Sequence, residues 1–163
     1  MASISDSLVQ QLLKGRYIAT LATGNPDGSI HMAAVWYWSD GAKIYVTTSS
    51  RSKKGKNAQS GSKVSIMMDS RDPLASFGAT IAGKGKVLTG HASEPPRAEI
   101  HRKYMSEAAL ADPKVGPVFA MFDDITIEIT PTSVISWDMR VLDQQVLGSV
   151  FANNPSYLLP LER

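Results

Sequence analysis

Two turn signatures constrain this chain more than anything else in it. Asn25-Pro26-Asp27-Gly28 and Asp40-Gly41 cut residues 16–48 into three short runs rich in β-branched and aromatic side chains. Proline presets one turn φ and glycine accepts a positive one, so each signature reverses the chain within a few residues. Residues 16–23 (RYIATLAT), 29–38 (SIHMAAVWYW) and 42–48 are therefore predicted as consecutive antiparallel strands. The third should pair back on the second through a two-residue hairpin at Asp40-Gly41.

The rest of the chain extends the same pattern. Residues 4–14 space Ile4, Leu8, Leu12 and Leu13 at helical intervals, with Ser5 or Asp6 as N-cap and Gly15 as the stop. A short helix over 53–59 should end at Gly61, and KVSIMMD (63–69) reads as a fourth strand. After a loop at Asp72-Pro73, residues 77–89 form a long fifth strand, with Gly78, Gly83 and Gly85 marking bends or bulges. Ser93 and the prolines at 95 and 96 open a helix that runs to about residue 110, with Ile100, Tyr104 and Ala108 on one face. Residues 118–121 and 125–129 supply further strand, Pro131 breaks it, and 134–137 form a last short strand. From residue 138 to 163 the tail has no clear pattern. Six or so strands with regular turns and glycine bends predict an antiparallel β-barrel with appended helices, in a single domain over residues 1–163. Repeated βαβ units are missing, and Gly83-Lys84-Gly85 sits inside a strand without a third glycine, so a Rossmann arrangement is excluded.

The chemistry concentrates in residues 44–57, IYVTTSSRSKKGKN. An apolar β-run passes through four hydroxyls, Thr47 to Ser50, into Arg51, Lys53, Lys54 and Lys56, with no acid among them. A phosphate monoester brings acceptor oxygens and nearly two negative charges, so it needs several donors and net positive charge. The stretch reads as the phosphate grip of a nucleotide-like cofactor, against the plainer alternative of a solvated basic loop. The net charge of +2 is too small to imply a nucleic-acid protein. With no cysteine there is no disulfide scaffold, thiolate metal site or cysteine nucleophile. The N-terminal residues lack the pattern of a signal peptide, and no apolar run approaches a membrane span, so a cytoplasmic location is expected.

The histidines, His31, His91 and His101, are dispersed without metal-ligand spacing, and no metal is expected. His31 reads either as polar lining of a site or as an exposed strand residue. Alternation puts Trp36 and Trp38 on one face and Tyr37 on the other. These rings, with Trp137, would shape a substrate face or pack in a core or interface. Met67 and Met68 read as core filler, and Asp123-Asp124 as a turn before a strand rather than as paired catalytic carboxylates.

The order of these pieces resembles the pyridoxamine 5′-phosphate oxidase-like family of FMN-binding split β-barrels, which also includes deazaflavin-dependent reductases. Three matches carry the likeness: RYIATLAT with its turn and the strand containing His31 and Val35-Trp36; Asp40-Gly41 leading into IYVTT; and Ser52-x-Lys54-x-x-Asn57 followed by KVSIMMD. The resemblance covers about residues 16–88 and implies a six-stranded antiparallel split barrel. It also implies a flavin ring lying along residues 29–35, its polar edge against backbone groups around His31, Met32 and Ala33, with Val35 on the same strand. Thr47 and Thr48 would reach the ribityl chain or ring edge. Ser52, Lys53 and Lys54 would hold the phosphate within the motif that ends at Asn57, with Arg51 and Lys56 as outer charges. A homodimer with the cofactor at its interface is likewise implied.

Departures from the family pattern narrow the reading. No Arg-Pro pair occurs, and the C-terminal candidate, Trp137 to Asp143, keeps a tryptophan and an arginine but has no histidine. The chain therefore does not resemble a typical pyridoxamine phosphate oxidase. It is more similar to the reductase branch, which uses FMN or coenzyme F-420 on small organic substrates. Related split barrels bind haem or bilins, which keeps a non-enzymatic carrier as the second reading.

Overall fold

The computed structural model describes residues 2–59, 63–70, 72 and 75–160. In chain order its elements are α1 (Ser7–Lys14), β1 (Ala19–Gly24), β2 (Ile30–Val35), β3 (Trp38–Ser39), β4 (Ile44–Thr48) and α2 (Lys53–Gln59). There follow β5 (Lys63–Asp69), β6 (Phe77–Thr89), α3 (Glu94–Tyr104), α4 (Glu107–Ala111), α5 (Gly116–Phe122), β7 (Ile125–Asp138), α6 (Met139–Val146) and α7 (Val150–Asn153). The expected helix end at Gly61 and the loop proline Pro73 lie outside the described residues.

All strands join one antiparallel sheet in the order β2-β1-β5-β6-β7-β4-β3. The long strands β6 and β7 pair along their whole length, from Phe77 with Asp138 to Thr89 with Ile125. The first half of β6 carries β5 on its free side, while the first half of β7 carries β4. The pair thus bridges a β5-β1-β2 wing and a β4-β3 wing.

The expected six-stranded barrel is corrected in two respects. The described residues form seven strands, and the edge strands β2 and β3 share no ladder. They are instead consecutive in sequence, joined only by Trp36 and Tyr37. Three residue steps span at most about 11 Å, so the opposite edges of the sheet approach each other at this point. The sheet curls, and a covalent link stands where a barrel would have hydrogen bonds.

The predicted second strand is therefore divided. Tyr37 is the reason: it is fully buried, and its hydroxyl donates to the carbonyls of Leu12 and Gly15 at the end of α1. These carbonyls have no partner within the helix, and a phenol supplies one. The turn at Asp40-Gly41 also differs from the two-residue expectation, because Ser39 pairs with Ile44 and leaves four residues between. The Asp40 carboxylate accepts from the N–H groups of Ala42 and Lys43, and Gly41 has φ +94°.

Pro131 does not break the last strand. It pairs with Gly83 at a register shift where Ser133 faces Ala82, so Thr132 is the extra residue and its hydroxyl donates to the Ala82 carbonyl. A bulge is where a strand tolerates a residue without an N–H. Residues 118–121, expected as strand, are helical in α5. Both sides of the neighbouring β7 segment are occupied, by β6 and β4, so no edge there is free to pair with them. The helix expected to reach about residue 110 stops at Tyr104 and resumes as α4, capped by Ser106. The tail, unassigned from sequence, forms α6 and α7. The buried Asp143 joins them, its carboxylate accepting from the N–H groups of Phe151 and Ala152.

The core lies inside the curl, built from Leu21, Ile44, Val46, Ile66, Met68, Ile81, Ile127 and Ile129, and is capped by Val9, Leu12 and Leu13 of α1. Met68 packs in this core, whereas Met67 is half-buried. The α3 helix covers the outside of β4, burying Ile100. From its last turn Lys103 donates to the Leu13 carbonyl at 3.0 Å and lies 3.8 Å above the Tyr37 ring.

Burial lowers the Lys103 ammonium to about 8. Below that value the native and unfolded chains both hold the proton. Between there and about 10.4, the unperturbed lysine value, the unfolded chain binds more protons, and stability must rise with pH. Tyr104 acts in the opposite sense, since burial pushes its hydroxyl up to about 12. Above about pH 10 the unfolded tyrosine ionises first and stability falls. Urea unfolding followed by tryptophan fluorescence should therefore give midpoints that climb from pH 8 towards pH 10 and then drop. The climb should be missing in Lys103→Met.

Candidate functional site

The curl brings the end of β2 beside the end of β4, two strands that stand five places apart in the sheet. Between them lies a cleft of about 270 Å³, lined by Ile18, Ala34, Val35, Trp36, Thr47, Thr48, Lys54, Phe119 and Asp123. Apolar side chains and two rings line it together with hydroxyls, a carboxylate and an ammonium group.

The aromatic lining is ordered by stacking. Trp36 lies parallel to Tyr104, with centroids 5.1 Å apart and 1° between planes, and parallel to Phe119 at 5.8 Å and 6°. The Tyr104 hydroxyl donates to the Tyr17 carbonyl and fixes the stack to the strand entry. Trp38 meets Tyr45 outside the cleft, and Trp137 packs across Gly78 instead.

The polar lining begins at β4. The Thr47 hydroxyl donates to Asp123 Oδ2 at 3.0 Å, and that oxygen also meets His101 Nε2 at 2.9 Å. His101 is buried on α3, with the Phe119 ring edge-on at 6.0 Å. Beside it, the Asp124 carboxylate accepts from the N–H and hydroxyl of Ser50, both at 2.6 Å. These bonds, the hydroxyl first, hold the Asp124 carboxyl below the usual carboxylate range. The Asp123-Asp124 pair, read from sequence as a turn, thus pins both the end of β4 and the loop after it.

That loop leads into α2 through Ser52. Its hydroxyl donates to the Ser49 carbonyl at 2.7 Å and accepts from the Gly55 N–H at 3.1 Å, as an N-cap does. Thr48 Oγ1 lies 3.0 Å from Ser52 Oγ, whose proton is already committed, so Thr48 is the donor. Lys54 reaches the cleft, while Arg51, Lys53 and Lys56 are exposed and outside its lining. Asn57 is buried and donates to Thr23 Oγ1 and Asn25 Oδ1, tying α2 to β1 and its turn.

Of the residues singled out from sequence, Val35, Thr47, Thr48 and Lys54 line the cleft together. Ser52 stands behind Thr48, and Arg51 and Lys53 at its outer side. His31, Met32 and Ala33 lie farther along β2, outside the lining; Met32 is 64% exposed, and Ala33 packs on the core. Reading the sequence missed Tyr104, Phe119, His101 and Asp123 as parts of this site. They come from α3, α5 and the residue that caps α5, up to 76 residues from Thr47. The available signals were a histidine on the inner face of a helix and an aspartate ending an apolar run, and neither names its partner.

The chain is thus a curled antiparallel β-protein with a polar and aromatic cleft between the edges of its sheet. The pyridoxamine 5′-phosphate oxidase family model matches residues 6–138, so the chain belongs to that family. The match ends where α6 begins. Solved structures share the fold. A conserved hypothetical protein from Mycobacterium tuberculosis is 23% identical, with a TM-score of 0.71 over 87% of this chain and 88% of that one. An F420 reductase is 20% identical, with a TM-score of 0.56 over 77% of this chain and 94% of that one. The haem storage protein HutZ from Vibrio cholerae is 14% identical, with a TM-score of 0.60 over 80% of this chain and 93% of that one. No curated protein sequence matches the chain. No described helix is long and apolar enough to cross a membrane.

Gly55 gives this site a test of its own. A Cβ there would stand 2.3 Å from the Ser49 carbonyl oxygen, inside the turn that presents Lys54. Alanine normally favours a helix over glycine by about 1 kcal/mol. Here Gly55→Ala should instead lose about 1–3 kcal/mol through overpacking, read as a lower urea midpoint than wild type.

Proposed function

We propose that this protein is an oxidoreductase that binds FMN or coenzyme F-420 in the cleft and passes hydride to or from a small planar organic molecule. One observation carries the reading: the rings of Trp36 and Phe119 line the same cleft as two threonine hydroxyls and the ammonium of Lys54. A flat ring needs the first, and an anionic tail needs the second. The donor set fits such a group. Lys54 with Lys53 would hold the phosphate, with Arg51 and Lys56 as outer charges that a longer anionic tail would use. Ser52 serves that grip by capping α2 and committing the Thr48 hydroxyl, and Asn57 by anchoring α2. Backbone groups at His31, Met32 and Ala33 would meet the polar edge of a ring laid along β2. When bound, the flavin or deazaflavin supplies the hydride chemistry; the chain orients the ring, neutralises its charged tail and keeps water from one face.

A homodimer completes the proposal. At about 270 Å³ the cleft is smaller than common ligand sites of about 300–1,000 Å³. The exposed side of edge strand β2, with Ile30 and Met32 both 64% exposed, continues from its rim beside Ala34. A second copy seated there would add the missing wall. The likeness to a haem storage protein favours a second reading, a haem or bilin carrier on the same sheet. Absorption of the freshly purified protein separates the two, since a flavin spectrum and a Soret band do not overlap in shape. A colourless preparation leads to titration with F-420.

Lys54→Ala should weaken FMN or F-420 binding by about 1.5–3 kcal/mol, the worth of a charge-assisted hydrogen bond. Fluorescence titration measures it, and an unchanged affinity removes Lys54 from the phosphate grip.

A further inference from the structure

The two threonines of the cleft have no proton to offer a ligand along their existing bonds. Thr47 spends its hydroxyl hydrogen on Asp123 Oδ2 at 3.0 Å, because a carboxylate oxygen can only accept. Thr48 spends its own on Ser52 Oγ at 3.0 Å, because Ser52 donates in turn to the Ser49 carbonyl at 2.7 Å. His101 meets the same Asp123 oxygen at 2.9 Å from a buried position, so its Nε2 carries the hydrogen of that bond. The Asp123 backbone is held as well, its carbonyl accepting from Arg97 at 3.1 Å. The side chain of Asp123 is 21% exposed and that of His101 7%, so the carboxylate borders the cleft while its partner stands behind it. Apart from the Lys54 ammonium, the polar groups that line the cleft carry lone pairs and negative charge.

We infer that Asp123 is a specificity-determining positioning residue: it fixes Thr47 as a hydrogen-bond acceptor, so the cleft selects a planar heterocycle that presents an imide or lactam N–H to that acceptor. This deepens the flavin or deazaflavin reading and rests on it. Both rings carry an imide N–H. A ligand that presents a carboxylate there meets lone pairs and a like charge, which disfavours it. Trp36 and Phe119 supply flat apolar lining, Lys54 the cation for the anionic tail, and Thr47 the acceptor for the imide N–H of the same polar edge whose carbonyls the backbone of His31, Met32 and Ala33 would meet.

The test compares a cofactor with the same cofactor methylated on its imide nitrogen, which removes one N–H and leaves the tail and ring system in place. FMN and F-420 are first titrated into wild-type protein by fluorescence, and the methylated analogue of whichever binds is titrated next. Wild type should bind the methylated form at least about tenfold more weakly, the worth of one hydrogen bond to a polarised acceptor. In D123N the side-chain amide can donate to Thr47 and release its hydroxyl hydrogen, so the penalty should shrink to about threefold or less. Thr47→Val, which lacks the acceptor, should lose the penalty as well and serves where D123N fails to fold. A residue that only supported the fold would lower both affinities together and leave their ratio unchanged. A wild-type penalty under about threefold, or a full penalty surviving in both variants, overturns the role of Asp123 while the cofactor reading stands. Failure of wild type to bind either cofactor overturns that reading and this inference with it.

Discussion

The pairing of β6 with β7 is the constraint on which the rest of the molecule depends. Thirteen residues of β6 run beside β7, and each strand lends one half of its other side to a different wing of the sheet. The shift at Ala82/Gly83, opposite Pro131 and Thr132, falls near the changeover between these wings. A bulge bends its strand and increases the local twist, so its position here sends the two wings towards each other. Were the pair flat, β2 and β4 would stay at opposite ends of the sheet and no cleft would form between them.

Closure then comes from the chain itself. Trp36 and Tyr37 cross from one edge of the sheet to the other, and the two rings divide the work. Tyr37 turns inward, fills the core and satisfies the orphan carbonyls of α1. Trp36 turns outward, stacks with Tyr104 and Phe119, and lines the cleft. Stability and site are thus coupled through neighbouring residues of one short link.

The polar side of the cleft has a different origin. Neighbouring carboxylates between α5 and β7 reach separate targets, Asp123 the hydroxyl of Thr47 and Asp124 the backbone and hydroxyl of Ser50. Together they hold the β4 end and the loop that leads through Ser52 into α2. The basic cluster is consequently not a free loop: its first turn is capped, its glycine is pressed against Ser49, and Asn57 anchors it to β1. Electrostatic order in the cleft follows from this. The ammonium of Lys54 and the carboxylate of Asp123 border one space from different elements.

What could be read from the sequence was whatever short-range physics decides. The turns at Asp27-Gly28 and Asp40-Gly41, the helix over 53–59, and the strands over 63–69 and 77–89 follow from proline, glycine and alternation. The threonines and Lys54 were legible because hydroxyls beside a cation are a chemical statement in themselves. Tertiary structure decided the rest. Residues 118–121 are apolar enough for a strand or a helix, and the absence of a free sheet edge beside β7 left them the helix. Pro131 ends a strand on local grounds, yet a bulge opposite Gly83 removes the need for its N–H. His101 and Asp123 belong to the site only because α3 and β7 fold over β4, a proximity that no spacing within the sequence encodes. Local backbone chemistry therefore set most of the elements. The burial of Tyr37, the bulge and the shared hydrogen bonds of Asp123 set where those elements meet, because each takes its free energy from partners far away in the chain.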